Sequence, residues 1–249
     1  MSVLVAPRRL AGVVGRVFQG LWLAGVRMPR LDAAGRHAIV QRWSVQMLRT
    51  LGVEVRVTGT PHVGAVLFVA NHVSWLDIPA LHASAPHARF VSKAAIAHWP
   101  LLGSLARAGG TLFIERERKR DALRVVHEVA DALRGADAIA VFPEGTTGAG
   151  DAVLPFHANL LQAAITTGCV VQPVVLRYSE PGHVFSIAAQ YTGDTTLVES
   201  LMKVVKASGM VVHVEFLAPE PAAETDRRVL AATLRDKIAE QLAASAIAP

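Results

Sequence analysis

The chain has 249 residues, ample for one large α/β domain, and its 52% hydrophobic and 18% charged content excludes a disordered chain. A single cysteine, Cys169, excludes an internal disulfide and sits in the apolar run CVVQPVV, where a buried strand residue is expected rather than a nucleophile. The formal charge of +5 is concentrated early: residues 1–60 hold nine arginines against only Asp32 and Glu54.

Two helices are expected over 8–27 and 32–50. In the first, Val14, Phe18, Leu21 and Trp22 recur at steps of three and four, as one helical face does. Arginines beside such a face suit a helix lying on anionic lipid, and the same pattern suits a helix docked on its own domain. The uninterrupted stretch VFQGLWLAGV is half of the ~20 residues a membrane span requires, so surface attachment is expected rather than a crossing. The start, MSVLVAPRRL, lacks a signal peptide's order of charge, apolar core and cleavage site. Strands are then expected at 53–57 by alternation, at 65–70 as a fully apolar run, and at 111–115 after Gly109 and Gly110. Residues 119–134 carry Leu123, Val126, Ala130 and Leu133 on one stripe, with Gly135 as a stop. Further strands are expected at 138–142, 170–176 and 210–216, and helices at 157–167 and 224–244. No repeat or low-complexity linker interrupts this order, so the basic helices of 1–50 and the α/β region of 51–249 are expected to form one unit. Strands alternating with helices imply an α/β fold with a mainly parallel, twisted sheet covered by helices on both faces. Ligands of such sheets collect where strands end.

Four segments stand at those ends. Asn71-His72-Val73-Ser74-Trp75-Leu76-Asp77 follows the strand AVLFVA. A strand-end histidine can serve as a base near neutral pH, with Asp77 fixing its tautomer. Equally, Ser74 suits the cap of a helix starting at Trp75, with Asp77 completing a capping-box-like pair. Phe142-Pro143-Glu144-Gly145-Thr146-Thr147-Gly148 suits either a ligand-cradling turn or a plain turn with Glu144 as its polar tip. Gly110-Thr111-Leu112-Phe113-Ile114-Glu115-Arg116 ends on an arginine, which can hold a phosphate bidentately or belong to a solvated loop. Val171-Gln172-Pro173-Val174 places a proline in an apolar strand, which suggests an edge, a bulge or a ligand-lined bend.

Together these four blocks resemble the glycerophospholipid acyltransferase family, that of the 1-acyl-glycerol-3-phosphate acyltransferases, over about 65–180. The family's N-H-x-x-x-x-D, G-x-x-F-I-x-R, F-P-E-G-T and proline-bearing blocks occur in that order and at that spacing. The resemblance implies a fatty acyl transfer from acyl-CoA or acyl carrier protein to 1-acyl-sn-glycerol-3-phosphate, giving phosphatidate. It implies His72 as general base, Asp77 as its orienter, and Arg116, Glu144, Gly145 and Thr146 in the acceptor site. Phe113, Pro143 and Pro173 are implied as structural or near the acyl chain. No metal or resident cofactor is implied; the thioester is a co-substrate. A hydroxyl needs a base, and no G-x-S-x-G elbow is present to suggest a covalent intermediate. Two positions depart from phosphatidate-forming relatives: Thr147 and Gly148 stand where an arginine and a serine are usual, and His157 where a lysine is usual. The pattern F-P-E-G-T-T-G also looks like bacterial relatives that acylate lyso-ornithine lipid, which is the alternative acceptor. A non-catalytic lipid-binding protein is the alternative from another class. Nucleic acid is not an expected partner, since no zinc or aromatic RNA-binding motif accompanies the arginines. The expected partners are an anionic membrane surface with its lysolipid and possible acyl carrier protein, at the cytoplasmic face of the inner membrane.

Overall fold

The computed structural model describes residues 5–114, 119–223 and 225–247. Helix α1 (Val5–Trp22) runs on through a π-helical segment, Leu23–Arg27, and a 3-10 turn, Met28–Arg30. Helix α2 (Ala33–Leu51) starts where Asp32 accepts the Gly35 N–H and stops at Gly52, whose φ of 82° lets the chain turn sharply. There follow β1 (Val53–Thr58), β2 (Val66–Ala70), α3 (Asp77–Ser84), β3 (Ala88–Lys93), α4 (Ala94–Ala97), α5 (Leu102–Ala108) and β4 (Leu112–Ile114). The second half comprises α6 (Lys119–Arg134), β5 (Ala138–Val141), α7 (Leu161–Thr167), β6 (Val170–Ser179), α8 (Leu197–Lys206), β7 (Met210–Phe216), β8 (Glu220–Pro221) and α9 (Arg227–Ile247).

Among the described residues, eight strands form one sheet in the order β1-β7-β6-β2-β5-β3-β4, with β8 alongside β6. The pairings are parallel except for β6 with β7 and β6 with β8, so the sheet is mainly parallel, as its apolar strands imply. Alternation along β2 divides the core. Val66, Phe68 and Ala70 join α1, α2, α3 and α8 on one face, while Leu67 and Val69 join α6, α7 and α9 on the other. Both faces are therefore covered, and all five β2 residues are buried.

Several elements differ from the sequence reading. Strand β3 and helix α8 are additional, although Thr196 and Glu199 form a full capping box at the start of α8. Helix α7 begins at Leu161, leaving 157–160 as a loop. Pro173 does not lie on an edge of the sheet. It pairs with Val69 in the sheet interior, where β6 passes from β8 to β7 as partner. A proline is tolerated there because the ladder is already interrupted. Gln172 fills the gap, donating to the carbonyls of Thr60 and Leu217 and accepting the His62 N–H.

Helix α1 docks on the domain, as one of its two readings expects, and leaves an apolar stripe, continued by Val26 in the π-helical segment, exposed. Val13 and Gly20 are buried against the domain, while Val14, Phe18, Trp22 and Val26 stand 50%, 60%, 52% and 39% exposed. Leu21, expected on that stripe, is half-buried. No helix among the described residues is long and apolar enough to cross a membrane.

Candidate active site

Strand β2 delivers the chain to the sheet's C-terminal edge, and Asn71 fastens it there. The Asn71 amide donates to the Leu176 carbonyl at 2.9 Å and accepts the Leu176 N–H at 2.8 Å. A side chain thus continues the β2–β6 ladder while the backbone of His72 is free to leave it. The next residues fold back around Asp77, which is fully buried. Asp77 Oδ2 accepts the N–H groups of Val73 at 2.8 Å and Ser74 at 3.0 Å, and lies 2.7 Å from His72 Nδ1. Asp77 Oδ1 accepts the Tyr178 hydroxyl at 2.7 Å. Burial, and then the Asp77 charge, push the Tyr178 phenol well above its usual range, so it stays a donor.

A carboxylate surrounded by donors fixes the neighbouring tautomer. Nδ1 of His72 carries the proton toward Asp77, and Nε2 keeps the lone pair. The ring stacks on Phe142 with centroids 4.1 Å apart and planes 10° off parallel, which removes its rotational freedom. The His72 side chain is 20% exposed and its partner not at all. The arrangement is one that can act as a general base with a buried orienter. Ser74 does not cap the following helix: α3 begins at Asp77 without a side-chain cap, and the Ser74 hydroxyl is buried without a partner among the described residues.

After β5 the chain makes a tight turn. The Gly145 N–H donates to the Phe142 carbonyl at 3.1 Å, and Gly145 takes a φ of 71°, which glycine adopts without strain. Glu144 is no solvated tip. It is 4% exposed, accepting the His72 N–H at 2.8 Å and the Leu154 N–H at 3.2 Å. Burial pushes its carboxyl up to about 7, opposed by those two hydrogen bonds. The Gly148 N–H donates to the His72 carbonyl at 2.7 Å, so His72 is held from the 142–148 loop on both sides of its backbone.

A cavity of about 400 Å³ opens beside this network. Ile114, Val125, Phe142 and Leu160 give it an apolar wall, Pro143 and Gly145 a backbone rim, and Lys93 and His157 two basic groups. Phe142 therefore lines the cavity while stacking on His72. Of the residues expected from the sequence, His72, Asp77 and Glu144 form one bonded network, and Pro143 and Gly145 face the cavity. Thr146 is exposed beside them. Phe113 pairs with Ser92 in β4, and Pro173 is buried in β6, so these two belong to the sheet. Arg116 lies outside the described residues. Lys93, Tyr178 and the stacking role of Phe142 escape sequence reasoning: Lys93 ends the unassigned strand β3, and Tyr178 lies two residues past the expected end of β6.

The comparisons agree with this geometry. Residues 53–177 match the model of a family described as Acyltransferase. The chain is 38% identical over 229 residues to a lyso-ornithine lipid O-acyltransferase of Pseudomonas aeruginosa, covering 90% of this chain and 88% of that protein. It is 36% identical over 244 residues to a 1-acyl-sn-glycerol-3-phosphate acyltransferase of Neisseria meningitidis, covering 98% and 94%. The crystal structure of a 1-acyl-sn-glycerophosphate acyltransferase from Thermotoga maritima shares the fold, with a TM-score of 0.74 at 17% identity, over 99% of this chain and 97% of that one. With a family model across half its length and relatives above 30% identity across most of it, the chain belongs to the acyltransferase family of enzymes.

Proposed function

We propose that the chain transfers a fatty acyl group from acyl-CoA or acyl carrier protein to the hydroxyl of 1-acyl-sn-glycerol-3-phosphate, giving phosphatidate. The observation that carries this reading is the His72–Asp77 pair, 2.7 Å apart, with the His72 ring stacked on a residue of the cavity wall. Nε2 of His72 takes the hydroxyl proton as the oxygen attacks the thioester carbonyl. The imidazolium, steadied by Asp77, returns that proton to the departing thiolate, so protons and charges balance. The chemistry calls for no metal and no covalent acyl-enzyme. Phe142 and Pro143 would flank the acyl chain, and Glu144 would hold the base loop rather than touch substrate. Gly145 and Thr146 would border the acceptor head group. Lys93 in the cavity supplies the positive charge that a phosphate requires, with His157 as a hydrogen-bonding neighbour, and the resemblance adds Arg116.

A second acceptor, lyso-ornithine lipid, is favoured by one specific observation. Thr147 stands where an arginine is usual, and its hydroxyl is spent on the Tyr191 carbonyl, so it offers a phosphate nothing. Relatives of similar identity bear both names. The test is turnover of purified protein with labelled acyl-CoA and acyl carrier protein against a panel of lysolipids, with products identified. His72→Ala should abolish transfer with an unchanged circular dichroism spectrum. Activity within a few-fold of the parent would end the proposed mechanism.

The same reading puts the enzyme at a membrane surface, on the cytoplasmic face of the inner membrane. The exposed stripe Val14, Phe18, Trp22 and Val26 beside exposed Arg8 and Arg27 supports it.

A further inference from the structure

The connection between α4 and α5 carries its apolar residues outward. His98, Trp99, Pro100 and Leu101 are all exposed, Trp99 at 42% and Leu101 at 47%. Leu101 has φ 64° and ψ −52°, and the Leu102 N–H reaches back to the Pro100 carbonyl at 2.7 Å. This is the positive-φ γ-turn, a strained conformation that a leucine avoids. Its neighbours enforce it. Gly103 packs so closely on α4 that a Cβ there would lie 2.3 Å from the Ala97 carbonyl oxygen, which fixes how α5 leaves the turn. Strain spent on holding a leucine in water gains nothing for the fold.

Three further features suit this tip to a low-dielectric surface. First, four of its carbonyls are already occupied: Trp99 by the Gly103 N–H, Pro100 by Leu102, Leu101 by Leu105, and Ala97 by the Arg107 guanidinium. A backbone that enters lipid must bring its hydrogen bonds with it. Second, residues 78–114, which surround the tip in the sequence, contain Arg89, Lys93 and Arg107 but no Asp or Glu, a composition that suits an anionic surface. Third, the tip follows Lys93 by one short helix, and Lys93 lines the cavity. Tryptophan and leucine beside basic groups are the side chains that settle at a bilayer interface.

We infer that Trp99, Pro100 and Leu101 form a second lipid-inserting element, separate from α1, which seats the cavity rim against an anionic bilayer. The inference rests on the lysolipid acyltransferase reading, since a substrate held in a membrane is best met by an enzyme whose cavity opens onto it.

The test uses the full chain and vesicles of phosphatidylglycerol and phosphatidylcholine with brominated acyl chains, which quench inserted tryptophan. Relative to the parent, Trp99→Phe should lose part of the quenched emission. Leu101→Ser should weaken partition onto these vesicles roughly fivefold, the scale of one partly buried leucine. Leu101→Gly adopts the same φ without strain and serves as the second variant should Leu101→Ser fold poorly. Unchanged quenching in Trp99→Phe, or unchanged partition in both Leu101 variants, overturns the inference. So does a dimer in light scattering that Leu101→Ser dissolves while vesicle binding stays the same, since a second copy would then be the occupant. None of these measurements needs turnover. Failure of the acyltransferase reading would instead appear as no acylation of any lysolipid by a protein that still inserts its tip.

Discussion

Asp77 has four hydrogen-bond partners on two oxygens, three of them on Oδ2. An asparagine offers one acceptor oxygen and turns an amide nitrogen toward groups that are themselves donors. Asp77→Asn should therefore lower turnover on the order of 10³–10⁴-fold, through the wrong tautomer and an unsupported imidazolium. It should also cost stability, at about 1–3 kcal/mol for each buried donor left unmet. Turnover and urea midpoint read the two effects separately, and a loss of stability with turnover intact would return Asp77 to a purely structural role. Glu144 gives a pH signature. Its carboxyl titrates near 7 in the fold against 4.5 in the open chain, so between those values the folded state holds the proton more tightly. Stability from this group falls as pH rises through 4.5–7, and the loss is complete above 7. Glu144→Gln cannot ionise. Its thermal midpoint relative to the parent should improve from pH 5 to pH 8; a constant difference would mean Glu144 does not titrate in that window. His72, Asp77 and Glu144 were legible in the sequence because short-range spacing and two strand ends place them. Tyr178 was not, because it reaches Asp77 across 101 positions through the pairing of β6 with β2.

At the scale of elements, strands with one-sided chemistry were readable and mixed ones were not. β2 and β5 are unbroken apolar runs, buried on both faces. β3 reads Ala-Arg-Phe-Val-Ser-Lys, with only three apolar residues, because its Arg89 is turned to Asp137 and the Gly110 carbonyl and its Lys93 to the cavity. Missing β3 meant missing Lys93. Helix α1 shows why charge counts mislead. Arg9 binds the carbonyls of Val205 and Ala207 at the end of α8, and Arg16 bonds to Thr50, Gln19 and Gln46, so both serve the fold. A deletion through Arg30 would strip Val13 and Gly20 from the core, so point variants are the cleaner probe. Phe18→Ser with Trp22→Ser should weaken cosedimentation with vesicles. Arg8→Ala with Arg27→Ala should weaken the preference for anionic vesicles, at about 1 kcal/mol per charge, fading with salt. Equal binding of parent protein to anionic and zwitterionic vesicles at all salt concentrations would contradict the electrostatic part.

Across the whole molecule, the C-terminal ends of β2, β3, β4 and β5 converge on one rim, and their last residues divide the labour. β2 leads to His72, β5 to the turn that braces it, and β3 and β4 bring Lys93 and Ile114 to the cavity. Arg116 lies two positions after β4 in the sequence. This division predicts how the acceptor is told apart. A phosphate monoester has two negative charges and should draw on both Lys93 and Arg116. Lys93→Met keeps the stem and removes the charge, and so should raise the Michaelis constant for lysophosphatidate. Arg116→Lys should raise it too, because the planar fork is lost although the charge remains. Losing one charge-assisted hydrogen bond costs about 1.5–3 kcal/mol, which sets a loss of roughly ten- to hundred-fold in kcat/KM. The constant for the acyl donor should move less. Lyso-ornithine lipid has no phosphate, so the same variants should alter its kcat/KM by only a few-fold. The decisive comparison is kcat/KM of parent, Lys93→Met and Arg116→Lys on both acceptors. A parent that ignores lysophosphatidate, acylates lyso-ornithine lipid and tolerates Lys93→Met would transfer the assignment to the second acceptor while leaving His72 and Asp77 in their roles.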